Sequence, residues 1–137
     1  MPKNTVYTRT ALLAIVFLSL HLTDDVLRKA DGADKGGFTG LLMLLVMVVW
    51  VYGILWLAER KSGYIISLIA SLMTSVIPIA HIMGLGGDAL PGEIAASSGP
   101  FFAWVVFGIG VTAISAAIFS AYLLLRPSTA SSSARGR

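Results

Sequence analysis

Cysteine is absent from this sequence of 137 residues, and charged residues are scarce. Without cysteine the chain has no disulfide, no thiolate metal ligand and no cysteine nucleophile. Charged residues make up 12% of the sequence, whereas soluble domains carry about 25%. Hydrophobic residues make up 56%. This composition argues against a water-soluble core, and a membrane domain of this size would leave no length for a soluble catalytic domain.

Four long apolar runs account for most of the sequence. They are Ala11–Leu27, Leu41–Ala58, Tyr64–Met83 and Phe101–Leu125. A helix of roughly 20 apolar residues crosses a hydrocarbon core about 30 Å thick. The runs therefore predict an all-α integral membrane protein, a four-helix transmembrane bundle that forms one domain over residues 1–126. The expected spans are residues 10–28, 40–58, 63–84 and 101–125. Residues 127–137, rich in serine and alanine, are expected to form a disordered cytoplasmic tail.

The first run also has features of a cleaved signal peptide. Lys3 and Arg9 would form its basic region, and residues 11–22 its apolar core. The segment Thr23-Asp24-Asp25 follows, where a cleavable peptide would have a small-x-small site. We therefore expect the first run to remain as a membrane span.

Lysine and arginine are distributed unevenly between the two ends of the predicted spans. One side holds Lys3, Arg9, Arg60, Lys61, Arg126, Arg135 and Arg137, and the other holds Arg28, Lys29 and Lys35. Because basic residues favour the cytoplasmic side, this pattern predicts that both termini are cytoplasmic (N-in/C-in), in a bacterial-type plasma membrane.

Aromatic residues cluster near the predicted ends of the spans, where such residues commonly anchor helices at the lipid headgroups. Toward the inner ends lie Trp50, Tyr52, Trp56, Tyr64 and Tyr122. Toward the outer ends lie Phe38, Phe101, Phe102 and Trp104. We expect both groups to form interfacial belts.

Small residues form a stripe along the fourth run. Its members, each four residues apart, are Gly108, Thr112, Ala116 and Ser120. Small residues at this spacing let helices approach closely in lipid, so the stripe predicts either packing within the bundle or the seam of a homodimer. Val105 is expected to face lipid. The second run has no such stripe and is expected to face lipid broadly.

The only two histidines are the main candidates for chemistry. His21, Asp24, Asp25 and Arg28 are spaced at i, i+3, i+4 and i+7, which places them on one helical face. His81 ends the third run, which crosses in the same direction as the first. Both histidines are therefore expected in the outer half of the bundle. Ionisable groups inside a span are costly, so they usually pair or have a function.

Two interpretations of this polar cluster remain open. In the structural one, Asp24 pairs with Arg28 and Asp25 with Lys29 at the membrane–water interface. In the functional one, His21 and His81 form a ligand or proton site with one or both of Asp24 and Asp25, and Asp24 is expected to lie nearer the histidines than Asp25. Two imidazoles and a carboxylate suit a divalent metal such as zinc or non-haem iron. Two imidazoles alone suit axial ligation of haem, and imidazole also exchanges protons near neutral pH.

Pro78 and a series of hydroxyls give the third run a distinctive edge. A proline inside a helix removes one backbone hydrogen bond and is expected to kink the helix there. The hydroxyls belong to Ser67, Ser71, Thr74 and Ser75. They are expected either to bond their own helix backbone or to line a small cavity or gate beside His81.

No complete catalytic set is present, and the basic residues form no aromatic-interleaved patch for nucleic acid. We therefore expect a small non-catalytic polytopic membrane protein, either an accessory subunit or a small binding bundle. One alternative is a haem- or metal-binding redox protein that uses His21 and His81. Another is a small proton- or ion-coupled transporter. The expected partners are the lipid bilayer and either a second copy or a larger membrane complex.

The predicted orientation can be tested with single cysteines, because the native chain contains none. In intact cells, an impermeant thiol reagent should label Ser98→Cys on the outer side and leave Ser132→Cys protected until the membrane is permeabilised. Labelling of Ser132→Cys from outside, with Ser98→Cys protected, would invert the topology.

Overall fold

A computed structural model describes residues 4–29, 37–83 and 91–126, and these residues form four helices. In chain order the helices are α1 (Thr5–Lys29), α2 (Gly37–Leu55), α3 (Lys61–Ile82) and α4 (Pro91–Leu125). Each apolar run lies mainly within one helix, which confirms the all-helical fold. The expected disordered tail, residues 127–137, lies outside the described residues.

Three of the helices are long and apolar enough to cross a membrane. The qualifying segments are Thr5–Asp24, Lys61–Ile82 and Gly99–Leu125. In α2 the apolar segment Gly40–Leu55 is shorter. The second predicted span extended to Ala58, but α2 ends at Leu55.

The end of α2 is set by a tight turn. The N–H groups of Trp56 and Leu57 both donate to the carbonyl oxygen of Tyr52, at 2.9 and 3.3 Å. These bonds pair a carbonyl that would otherwise lack a hydrogen bond at the end of the helix. Glu59 then takes a φ of 67°, a conformation uncommon outside glycine. The short connection makes α2 and α3 antiparallel neighbours.

The start of α3 lies directly against α2. A Cβ added to Gly63 would clash with the backbone oxygen of Leu57 and would lie 2.7 Å from that of Gly53. Only a glycine therefore fits at position 63 without moving the backbone. Gly53 leaves similar room for Ile66, whose Cγ2 would be 2.8 Å from an added Cβ.

The glycines and prolines of residues 84–100 predict a loop between the third and fourth spans. This expectation was wrong for the second half, since helix α4 already begins at Pro91. Proline suits the first turn of a helix because its φ is preset and its missing N–H would have no partner there. Gly99, with φ 78° and ψ 160°, then interrupts the helical backbone before Phe101–Leu125.

The buried residues recur at alternating steps of three and four, a spacing that keeps one face of a helix against its neighbour. On α1 they include Tyr7, Ala11, Ala14, Leu18 and His21. On α3 they include Tyr64, Ser67, Ser71, Thr74 and Pro78. On α4 they include Phe102, Val106, Ile109, Ala113, Ala116 and Ser120. Helix α4 packs extensively against both α3 and α1.

Three positions expected at the lipid surface are buried instead. Val105 is 2% exposed and Phe102 is 6% exposed, because α4 packs on two sides and so buries a broad face. Trp50 is fully buried, and its indole N–H donates to the Ser67 hydroxyl at 2.9 Å. That bond removes the usual cost of burying the indole N–H. The rest of α2 exposes mainly leucine and valine, as expected.

Candidate functional site

The two histidines meet at one end of the bundle. The ring centroids of His21 on α1 and His81 on α3 are 5.4 Å apart, with an angle of 89° between the ring planes. At the other end, the rings of Tyr7 and Tyr64 make a similar edge contact at 5.4 Å. Helices α1 and α3 therefore run in the same direction, which is why their histidines reach the same depth.

Phe102 on α4 completes a cluster of three rings, which we call the histidine–phenylalanine cluster (His21, His81 and Phe102). The Phe102 ring stacks on His21, with centroids 5.3 Å apart and planes at 28°. Its contact with His81 is edge-on at 5.9 Å and 84°. His21 is 6% exposed. The cluster is thus built from three different helices, and His21 and Phe102 are buried while His81 is partly buried.

The nitrogen atoms give this cluster a chemical capacity beyond ring packing. Nδ1 of His81 is buried and makes no hydrogen bond with any residue in the described part of the chain. An imidazole nitrogen buried in this way needs a partner, since an unsatisfied polar atom costs about 1–3 kcal/mol. A proton donor or a metal ion would each supply one.

Asp24 contributes less to the site than the sequence suggested. Asp24 is partly buried. Among the described side chains, no three potential metal ligands gather into one group, so Asp24 does not complete a set with His21 and His81. The side chains of Asp25 and Arg28 lie outside the described residues, as does the expected pairing with Lys29.

Two of the four hydroxyls in the α3 series bond their own helix, as in the structural interpretation. Ser71 donates to the carbonyl oxygen of Ser67 at 2.6 Å, and Ser75 donates to that of Ser71 at 2.8 Å. Thr74 is fully buried, and its hydroxyl has no hydrogen-bond partner within the described ranges.

Pro78, the expected kink, lies inside α3, which continues to Ile82. It is buried and packs beside Gly110 of α4, where an added Cβ would lie 3.4 Å from its Cγ. The proline removes the N–H that would otherwise bond the carbonyl of Thr74.

The small-residue stripe of α4 lies against this chain's own helices. Thr112 is 8% exposed, and Ala116 and Ser120 are fully buried. The Thr112 hydroxyl donates to the carbonyl of Gly108 at 2.6 Å, and the Ser120 hydroxyl to that of Ala116 at 2.7 Å. A Cβ on Gly108 would lie 2.8 Å from the Phe17 ring of α1. The absence of a larger side chain at position 108 therefore makes room for α1.

Sequence reasoning missed Phe102 as part of the site and assigned it to an interfacial belt. The inward position of the two histidines, by contrast, could be read from their spacing. Tyr7 and His21 are fourteen residues apart, and Ser67 and His81 are also fourteen apart, so each pair occupies the same position of a seven-residue repeat. That repeat places both histidines on the helix faces that pack inward.

Comparisons of the sequence with protein-family models and with curated proteins, and of the structure with solved structures, find no match.

The central role of Phe102 in the cluster can be tested by truncation. Phe102→Ala should lower the free energy of unfolding in detergent by about 3 kcal/mol, because it leaves a cavity where the Phe102 ring had packed against the two histidine rings. Phe107→Ala is the matched control on the same helix, since Phe107 is 61% exposed. It should cost less than about 1 kcal/mol. Equal losses in the two variants would mean that Phe102 does not hold the cluster together.

Proposed function

We propose that this chain is a small non-catalytic polytopic membrane protein, a binding bundle whose ligand is one transition-metal ion held by His21 and His81. The observation that carries the proposal is the contact of the two imidazole rings, 5.4 Å apart and supplied by separate helices. Ionisable side chains inside membrane helices are rare, and they usually mark functional sites.

We place four spans in a bacterial-type plasma membrane, with both termini cytoplasmic. We count the short helix α2 as a span because it is the antiparallel neighbour of α3. If α3 crosses the bilayer, α2 crosses it in the opposite direction. An even number of spans also puts Arg9 and Arg126 on the same side as Arg60, as the basic-residue rule requires. Local thinning of the bilayer accommodates a short span at modest cost.

The geometry favours a single ion over haem. An ion about 2 Å from one nitrogen of each imidazole lies about 3 Å from each ring centre, so ring centres up to about 6 Å apart can share it. The observed separation of 5.4 Å is within this limit. Bis-histidine haem instead requires the porphyrin between the two rings, whereas these rings touch each other and both contact Phe102.

Two protein ligands leave other coordination positions of the ion open. Closed structural zinc sites use four protein ligands, whereas no group of three is present among the described residues. Such a site suits an exchangeable ion, completed by water or by a ligand from a partner. This is the behaviour of a binding or accessory subunit, and it requires no catalytic base or nucleophile.

Metal binding should depend on both histidines. Protein purified with a streptavidin-binding tag, which avoids a polyhistidine tag, should bind Co²⁺, Ni²⁺ or Zn²⁺ with a stoichiometry of one. His21→Ala and His81→Ala should each weaken binding more than tenfold, a loss of over about 1.4 kcal/mol. Isothermal titration calorimetry in detergent, together with the visible spectrum of the Co²⁺ form, measures both effects.

The same experiment separates the alternatives. Asp24→Asn is the control, and it should retain the parent's affinity because Asp24 is not grouped with the histidines. A haem absorption spectrum in the purified protein would replace the metal proposal with the haem one. If either histidine variant binds metal like the parent, the paired rings are structural. Proton-linked flux in proteoliposomes that is lost in both variants would favour the transporter.

A further inference from the structure

A groove lies at the opposite end of the bundle from the histidine–phenylalanine cluster. It has a volume of about 270 Å³ and opens between the start of α1 and the end of α4. Tyr7, in its wall, precedes His21 by fourteen residues, which is about 21 Å along the helix. The groove is therefore separate from the proposed metal site.

The lining of the groove is divided between apolar and polar side chains. The apolar members are Val6, Phe119 and Leu123, and the polar members include Asn4, Tyr122 and Arg126. Its volume is slightly below the range of roughly 300–1,000 Å³ that is typical of sites for drug-sized ligands. A lining of this kind suits a small polar group attached to a hydrocarbon chain.

Arg126 supplies the charge. Its guanidinium lies over the Tyr122 ring, 5.8 Å from the ring centre, and it makes no ion pair with another described residue. Arginine offers paired donors that match the oxygen atoms of a phosphate. The groove therefore combines an available cation with an apolar wall.

We infer that this groove binds the phosphate headgroup of an anionic phospholipid, with Arg126 on the phosphate and Val6, Phe119 and Leu123 against the start of the acyl chains. The inference uses the proposed topology, which puts this end of the bundle at the cytoplasmic leaflet, where anionic lipids attract basic residues. It does not depend on metal binding. The apolar wall favours a lipid over free phosphate, because free phosphate has no hydrocarbon to cover the apolar side chains.

Lipid retention by the intact protein tests the inference. Native mass spectrometry from detergent containing equal amounts of phosphatidylglycerol and phosphatidylcholine should show phosphatidylglycerol preferred by about fivefold, the effect of one basic residue near the membrane surface. Arg126→Gln should abolish the preference, and Arg126→Lys should retain most of it. Arg60→Gln is the matched control, because Arg60 is an exposed basic residue and does not line the groove.

Each other outcome would overturn the inference. An equal loss in Arg60→Gln and Arg126→Gln would mean general attraction by the basic end. Displacement of the lipid by millimolar inorganic phosphate would mean a free-anion site. No preference in the parent protein would remove the site altogether. Because the histidines are remote, metal binding measured on the same samples reports separately on the proposed function.

Discussion

Helix α4 packs against both α1 and α3, and this arrangement brings the two histidines together. Two close approaches make it feasible: Gly108 leaves room for the Phe17 ring of α1, and Gly110 lies beside Pro78 of α3. Lipid is as apolar as the side chains it surrounds, so contact between helices depends on such close packing and on polar contacts between them. Phe102, on α4, then touches both imidazole rings. The site is therefore a product of the packing of α4.

The buried polar groups divide into two kinds. Serine and threonine hydroxyls can donate to the carbonyl one turn earlier, and Ser71 and Ser120 do so, so their burial requires no second helix. A buried imidazole nitrogen also needs a hydrogen-bond partner or a metal ion. The buried indole N–H of Trp50 has such a partner, since it donates to the Ser67 hydroxyl. At the histidine–phenylalanine cluster, a ligand would satisfy Nδ1 of His81, which is buried and makes no hydrogen bond with any described residue.

The sequence predicted the helical fold well because a long apolar run has few alternatives to a helix in a membrane. It also predicted that His21 and His81 share a depth, since spans one and three run in the same direction. It did not predict that Phe102, Val105 and Trp50 are buried. Which face of an apolar helix packs inward depends on its neighbours, and hydropathy does not distinguish protein from lipid. The seven-residue spacing of the buried positions indicates which face packs inward. The small residues four apart on α4 identify only part of that face.

The direct contact of the two imidazoles is the central claim, and solid-state NMR in lipid bilayers tests it most directly. The chain has only two histidines, so labelling histidine alone with ¹³C and ¹⁵N leaves one pair to observe. A ring-to-ring cross-peak between His21 and His81 is expected at the separation of 5.4 Å, and it should survive dilution with unlabelled protein. The mixing time should be long enough to detect carbon pairs within about 6 Å, a distance at which buried rings commonly pack. Absence of the cross-peak under that condition would contradict the account. Loss of the cross-peak on dilution would instead place the contact between two copies of the chain.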